Sequence, residues 1–142
     1  MAVRIDITID CAEPELLARF WRAMLGYIDR PAPDGYSSWE EYDRAHGVAE
    51  DQLDAGSAAL DPDGNGPRLF FQRVPESKII KNRAHLDLHV SADLDGATAR
   101  SKIHTEAHRA EALGAKLLRV NDDDEDYFIV MRDPEGNEFC LT

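Results

Sequence analysis

Cysteine is scarce in this chain: Cys11 and Cys140 are the only two among 142 residues, and they form no Cys-x-x-Cys pair. That excludes a disulfide framework and leaves reduced thiols, packed on strands, as the expectation. Long apolar runs are missing too. No segment reaches the roughly 18 uninterrupted apolar residues that a membrane span needs. The opening stretch MAVRIDITID alternates apolar with polar residues instead of showing a basic and then an apolar region, so no secretory leader is expected and the chain is assigned to the cytoplasm. Positive charge is in short supply: 16 Lys and Arg stand against 28 Asp and Glu, for a formal net charge of −12. With no local basic stripe, such a polyanion repels phosphate backbones, and neither nucleic acid nor a membrane is expected as a partner. There is no phosphate-binding glycine loop and no Gly-x-Ser-x-Gly elbow, so nucleotide binding and serine-nucleophile chemistry have no local support.

What the chain does have is an internal repeat. Arg4-Ile5-Asp6-Ile7-Thr8-Ile9-Asp10 aligns at an offset of 79 with Arg83-Ala84-His85-Leu86-Asp87-Leu88-His89. Both alternate as a half-buried strand does. Each is followed by a helical pattern, about 13–25 and 95–113, that ends in Leu-Gly (Leu25-Gly26 and Leu113-Gly114), glycine supplying a left-handed cap. The first helix gathers Leu17, Phe20, Trp21, Met24 and Leu25 on one stripe, the second Ile103, Ala107, Ala110 and Leu113. Each half then carries an Asp-Pro-acid-Gly turn, Asp61-Pro62-Asp63-Gly64 and Asp133-Pro134-Glu135-Gly136, before a last apolar strand. The halves differ in one stretch, since Gly26 to Asp61 is 35 steps and Gly114 to Asp133 is 19. The insertion carries Tyr36, Trp39 and Tyr42, and Ser37 or Ser38 can cap a short helix running through Arg44. It is either a lid over a ligand or a satellite cluster covering a sheet edge.

A β-α-β-β-β unit used twice, closing each time on an Asp-Pro-x-Gly hairpin, resembles the vicinal oxygen chelate superfamily. That group comprises glyoxalase I, bleomycin-resistance proteins, fosfomycin-resistance transferases and extradiol dioxygenases. The phrases Phe71-Gln72-Arg73-Val74-Pro75-Glu76, Lys81 to Asp87 and Asp133 to Cys140 are similar to its glyoxalase-like subgroup. The resemblance spans essentially the whole chain. It implies an α+β fold: two tandem βαβββ modules, about 1–76 and 82–142, forming one domain whose half-open curled sheet makes a cup with helices outside. A homodimer is implied as well, since paired modules leave sheet edges exposed and the superfamily commonly assembles that way.

Strand periodicity says which side chains line such a cup. If Ile5, Ile7 and Ile9 face a helix, Asp6, Thr8 and Asp10 face away; likewise His85, Asp87 and His89 oppose Leu86, Leu88 and Val90. Carried across from the superfamily, the metal positions of the first strands fall on Asp6 and His85. The last strand of the second module offers Cys140 where a glutamate is expected, and the nearest polar candidate in the first module is Gln72. Glu138, two residues before Cys140, would serve only after a register shift. Asp6, Gln72, His85, Glu138 and Cys140 are thus the candidate metal set, irregular for the oxygen-rich centre of this superfamily because a thiolate favours softer, zinc-like binding. His85-x-Asp87-x-His89 is a second, strand-borne zinc pattern that needs a ligand from another element.

Two functions follow from the resemblance. One is a small-molecule binding protein without the usual metal quartet, with Asp6, Thr8, Trp39, Phe70, Gln72, His85, Asp87 and His89 as ligand contacts. Its ligand would be cationic, drawn by the acidic field, or aromatic. The alternative is a divalent-metal-dependent lyase, isomerase or dioxygenase, with Asp87 as the candidate proton-moving group. His104 and His108, four apart on the second helix, are expected on a solvated flank. The run from Asp122 to Asp126 lacks the spaced oxygens and glycine of a calcium loop and is expected as a solvated turn.

Overall fold

The computed structural model describes residues 1–123 and 126–142, so the centre of the acidic run, Asp124 and Glu125, lies outside the described residues. The chain divides into two compact units, Met1–Ser77 and Lys78–Thr142. Both are mixed α+β, and each carries one small open sheet. Among the described residues no helix is long and apolar enough to cross a membrane.

In the first unit, β1 (Asp6–Cys11) leads to α1 (Pro14–Leu25), a short α2 (Trp39–Ala45), β2 (Gly56–Ala59) and β3 (Arg68–Arg73). The sheet order is β1-β3-β2, with β1 parallel to β3 and β2 antiparallel to it. Burial along β1 alternates as its sequence does: Asp6, Thr8 and Asp10 are exposed, Ile7 and Ile9 half-buried, and Cys11 buried. Helix α1 packs on β2 and β3 with Leu17, Phe20, Trp21 and Met24 buried. Phe20 and Trp21 meet edge to face at 5.3 Å. Proline at the first turn costs nothing there, because the N–H it lacks would have had no helical partner. Gly26 ends the helix at φ 68°, a left-handed conformation that a β-carbon disfavours.

The expected fourth strand of this unit shrinks to one antiparallel bridge, Ile28 with Leu60, closed by two hydrogen bonds of 2.9 Å. Pro31 and Pro33 follow at once; they cannot donate to a ladder, and the chain leaves the sheet for the insertion.

The second unit runs β4 (Leu86–Leu88), α3 (Gly96–Ala112), β5 (Lys116–Asp122), β6 (Tyr127–Arg132) and β7 (Glu138–Leu141). Its sheet order is β4-β7-β6-β5, with only β4 and β7 parallel. Helix α3 packs on β5, β6 and β7. It buries Ile103, Ala107 and Ala110, and the sheet contributes Ile129, Met131, Phe139 and Leu141, each fully buried. Leu113, expected on the same stripe, is exposed, because the helix ends at Ala112. Buried Glu106 is neutralised by Lys102 and Arg109, each at 2.7 Å.

The two Asp-Pro turns are built alike. Asp61 accepts hydrogen bonds from the backbone N–H groups of Asp63, Asn65 and Gly66; Asp133 accepts from those of Glu135 and Asn137 and from the Asn137 amide. An aspartate that gathers the N–H groups of its own loop is what makes these hairpins stop where they do.

Candidate functional site in the second unit

Parallel pairing of β4 with β7 sets Asp87 against Cys140 and Leu86 against Phe139. Partners in register share a face, so Asp87 and Cys140 lie on the side opposite the buried Phe139 and Leu141. His85, immediately before β4, adds its ring: Nδ1 is 2.9 Å from Asp87 Oδ1. A carboxylate only accepts, so His85 Nδ1 carries the proton and Nε2 is the unprotonated nitrogen of the neutral ring. One ligand-capable atom from each of His85, Asp87 and Cys140 lies within 4.8 Å of the others. His85 and Asp87 are exposed and Cys140 is half-buried.

These three residues line a cavity of about 560 Å³ with Lys81, Leu118, Arg119, Asp126, Phe128, Val130, Glu138 and Thr142. Burial, reinforced by the charge of Asp87 and a hydrogen bond to it, pushes the Cys140 thiol up to about 11. Lys81 and Arg119 act on it in the opposite sense. Cys140 is therefore a neutral thiol at physiological pH and donates to Asp87 rather than acting as a ready nucleophile. Among the described residues neither Lys81 nor Arg119 is in an ion pair; Lys81 Nζ donates only to the Asn82 carbonyl, at 3.3 Å, and Arg119 lies over the Phe128 ring.

Of the other residues expected at a site, His89 lies beyond the end of β4 and its Nδ1 is 2.8 Å from the Thr142 hydroxyl. Glu138 lines the same cavity as Cys140 but is buried and occupied: Lys78 Nζ lies 3.2 Å away, the Asn82 N–H donates at 2.9 Å, and Arg132 stands at 3.7 Å. Burial works to raise its carboxyl, yet hydrogen bonds from the Asn82 and Glu138 backbone N–H groups and from Lys78, with the charge of Lys78, hold it below the ordinary range. In the first unit, Asp6 pairs with Arg68 at 3.1 Å, and Gln72 donates its amide to Asp10 at 2.7 Å. Thr8 stands opposite Phe70 in the β1–β3 register. Trp39 donates to the Pro31 carbonyl at 2.8 Å, and Arg30 stacks on its ring at 4.2 Å. Tyr36, Tyr42 and His46 pack on one another, with Tyr42 and His46 stacked at 3.9 Å. The insertion thus spends its aromatic rings locally, as a satellite cluster does.

Sheet register settles an equivalence that sequence spacing left open. In the second unit Asp87 faces Cys140; its repeat partner Thr8 faces Phe70 in the first. The counterpart of Cys140 is therefore Phe70, which no metal takes, and Gln72 is the counterpart of Thr142. Asp6 and Glu138 lie against guanidinium or ammonium groups that repel a second cation. The residues present do not fit the oxygen-rich, two-module quartet of the superfamily.

The chain belongs to the glyoxalase-like domain family, whose model matches residues 6–142. Its fold is that of the glyoxalase, bleomycin resistance and dioxygenase group, the vicinal oxygen chelate superfamily. Among solved structures it resembles a possible glyoxalase from Bacillus cereus, with a TM-score of 0.62 and 11% identity over 100% of this chain and 99% of that one. It also resembles the fosfomycin resistance protein FosX from Listeria monocytogenes, solved as a mutant with Mn(II) and a dihydroxypropylphosphonic acid. There the TM-score is 0.63 and the identity 13%, over 99% of this chain and 89% of that one. A third is a glyoxalase/bleomycin resistance protein/dioxygenase family enzyme from Burkholderia phytofirmans, with a TM-score of 0.59 and 14% identity over 96% and 97%. No curated protein matches the sequence significantly.

Proposed function

We propose that the protein binds a small organic molecule in the cavity of its second unit, without the superfamily's usual metal quartet. The observation that carries this reading is the pair of cations, Lys81 and Arg119, lining an open cavity beside Leu118, Phe128 and Val130. A carboxylate or phosphonate on the ligand meets the two cations, and a flat apolar body lies on the adjoining side chains. The net charge of −12 attracts cations at long range, but salt screens that field beyond about 8 Å. Contact with the lining decides, and two of its three acidic members, Asp87, Asp126 and Glu138, are partnered: Glu138 by Lys78 and Asp87 by His85.

The feature favouring an enzyme instead is the His85–Asp87 pair at 2.9 Å. A carboxylate that fixes the imidazole tautomer leaves Nε2 able to take a proton from a bound substrate, as general acid–base catalysis requires. Lyase, isomerase and dioxygenase reactions of the superfamily are the candidates for such a step.

A thermal-shift panel separates the alternatives. Aromatic carboxylates or phosphonates should raise the melting temperature, and Lys81→Ala and Arg119→Ala should each reduce the rise. Shifts confined to cationic glycopeptides, or a blank panel, would overturn the anionic-ligand reading. The homodimer expected from the sequence is supported by the edge strand β5, on which Leu117, Leu118 and Val120 are each 43% exposed. Sedimentation as a single monomeric species at high protein concentration would contradict it.

A further inference from the structure

We infer that the chain has replaced the two-module metal centre with a three-donor site for a softer cation, Zn²⁺ being the best fit, formed by His85, Asp87 and Cys140 within the second unit alone. The donors are one imidazole, one carboxylate and one thiol, within 4.8 Å of one another. Collapse onto a single ion needs only small side-chain movements, since ligands on tetrahedral zinc sit about 2.0–2.3 Å from the metal. Nitrogen, oxygen and sulfur together suit zinc, whereas manganese and magnesium prefer oxygen.

The position in the fold matters as much as the donor types. Asp87 and Cys140 are register partners on adjacent parallel strands, so the sheet itself holds two of the three ligands, and His85 stands two residues from Asp87. Three protein ligands leave a fourth position toward the cavity, open to water or to an anionic group. On binding, the Cys140 proton passes to solvent, His85 stays a neutral ring whose hydrogen bond to Asp87 is exchanged for the two metal bonds, and nothing is oxidised or reduced. All three donors belong to the second unit, and the first-unit counterpart of Cys140 in the sheet register is Phe70, which offers no ligand atom.

The test uses the full chain and metal alone, so its failure is independent of the small-molecule reading. After chelation and dialysis, Co²⁺ is titrated as a spectroscopic stand-in for Zn²⁺. One equivalent should produce a near-ultraviolet sulfur-to-cobalt absorption that Zn²⁺ then displaces. Cys140→Ser should abolish that absorption, while Cys11→Ser should keep it. His85→Ala and Asp87→Ala should each weaken binding by about tenfold or more, whereas Asp6→Ala and His104→Ala should leave it unchanged. Circular dichroism of each variant identifies any that fail to fold, and for those the milder Asp87→Asn and His85→Gln are read instead. Absence of the sulfur band, its survival in Cys140→Ser, or loss of binding in Asp6→Ala would each overturn the inference.

Discussion

Asp87 and Cys140 face each other across the parallel pair β4–β7, and the carboxylate takes the thiol's hydrogen bond while also holding His85 at 2.9 Å. One carboxylate therefore organises both other polar groups at this end of the cavity. Burial comes first among the causes that raise the Cys140 thiol to about 11, with the charge of Asp87 second. In metal-free protein carrying Cys11→Ser, the alkylation rate should rise with pH well above the ordinary thiol range of about 8.5. Asp87→Asn should move the inflection down without restoring the ordinary value. An inflection near 8.5 in the parent would contradict this arrangement.

The first unit has its own charged network. Arg22, only 13% exposed, donates to Glu15, to Ser57 and to the Ala58 carbonyl. Burial tends to raise the Glu15 carboxyl, but hydrogen bonds from Arg22, Ser57 and Arg19 bring it down to about 2 from an ordinary 4.5. A depressed carboxyl stabilises the fold fully above its unfolded value, and the contribution fades as pH falls through the folded one. Melting temperatures of the parent and Glu15→Gln should therefore differ most above pH 4.5 and converge toward pH 2. A constant gap across that window would show that the ionised form is not what Arg22 and Ser57 stabilise.

Core packing in each unit rests on a fully buried ring, Phe71 in the first and Phe139 in the second. Phe139→Ala leaves a cavity between α3 and the sheet and should cost about 3–5 kcal/mol in urea unfolding. Phe128→Ala, at a half-buried position lining the cavity, should cost clearly less. Equal losses at the two positions would mean that the core does not lie where Phe139 points.

Asp133 is 3% exposed and accepts from two backbone N–H groups and the Asn137 amide. Asp133→Ala strands these donors and should destabilise by about 1–3 kcal/mol. Asp133→Asn, which keeps one acceptor, should lose less, and thermal unfolding orders the three proteins. Parity between parent and Asp133→Ala would remove the turn carboxylate from the account.

Much of this architecture was legible in the residues themselves. Alternation marked β1 and β4, apolar stripes ending in Leu-Gly marked α1 and α3, and the repeated Asp-Pro turns marked the hairpins. Ser38 caps α2 by accepting from the Glu41 N–H, one of the two serines proposed for it. Relations between strands were not legible, because periodicity gives the face of a residue and not its partner. Gln72 was therefore the nearest polar residue in sequence, whereas the register puts Phe70 opposite Thr8. The pattern His85-x-Asp87-x-His89 is periodic only while the strand lasts. Val90 N–H turns back to the Leu88 carbonyl, which ends the alternation and leaves His89 with Thr142. The fourth strand of the first unit failed for a readable reason, two prolines just past Ile28, whose effect on the ladder outweighed the repeat.

The proposed ligand belongs in the second unit's cavity and not in the cavity lined by Trp39, Arg30 and Gly56 in the first. Backbone amide shifts measured by two-dimensional NMR during titration with an aromatic phosphonate test it most directly. The expected result is saturable shifts concentrated at Lys81, His85, Asp87, Arg119, Phe128 and Cys140. Shifts concentrated instead at Trp39, Gly56 and Ser57, or none at saturating ligand, would contradict the account.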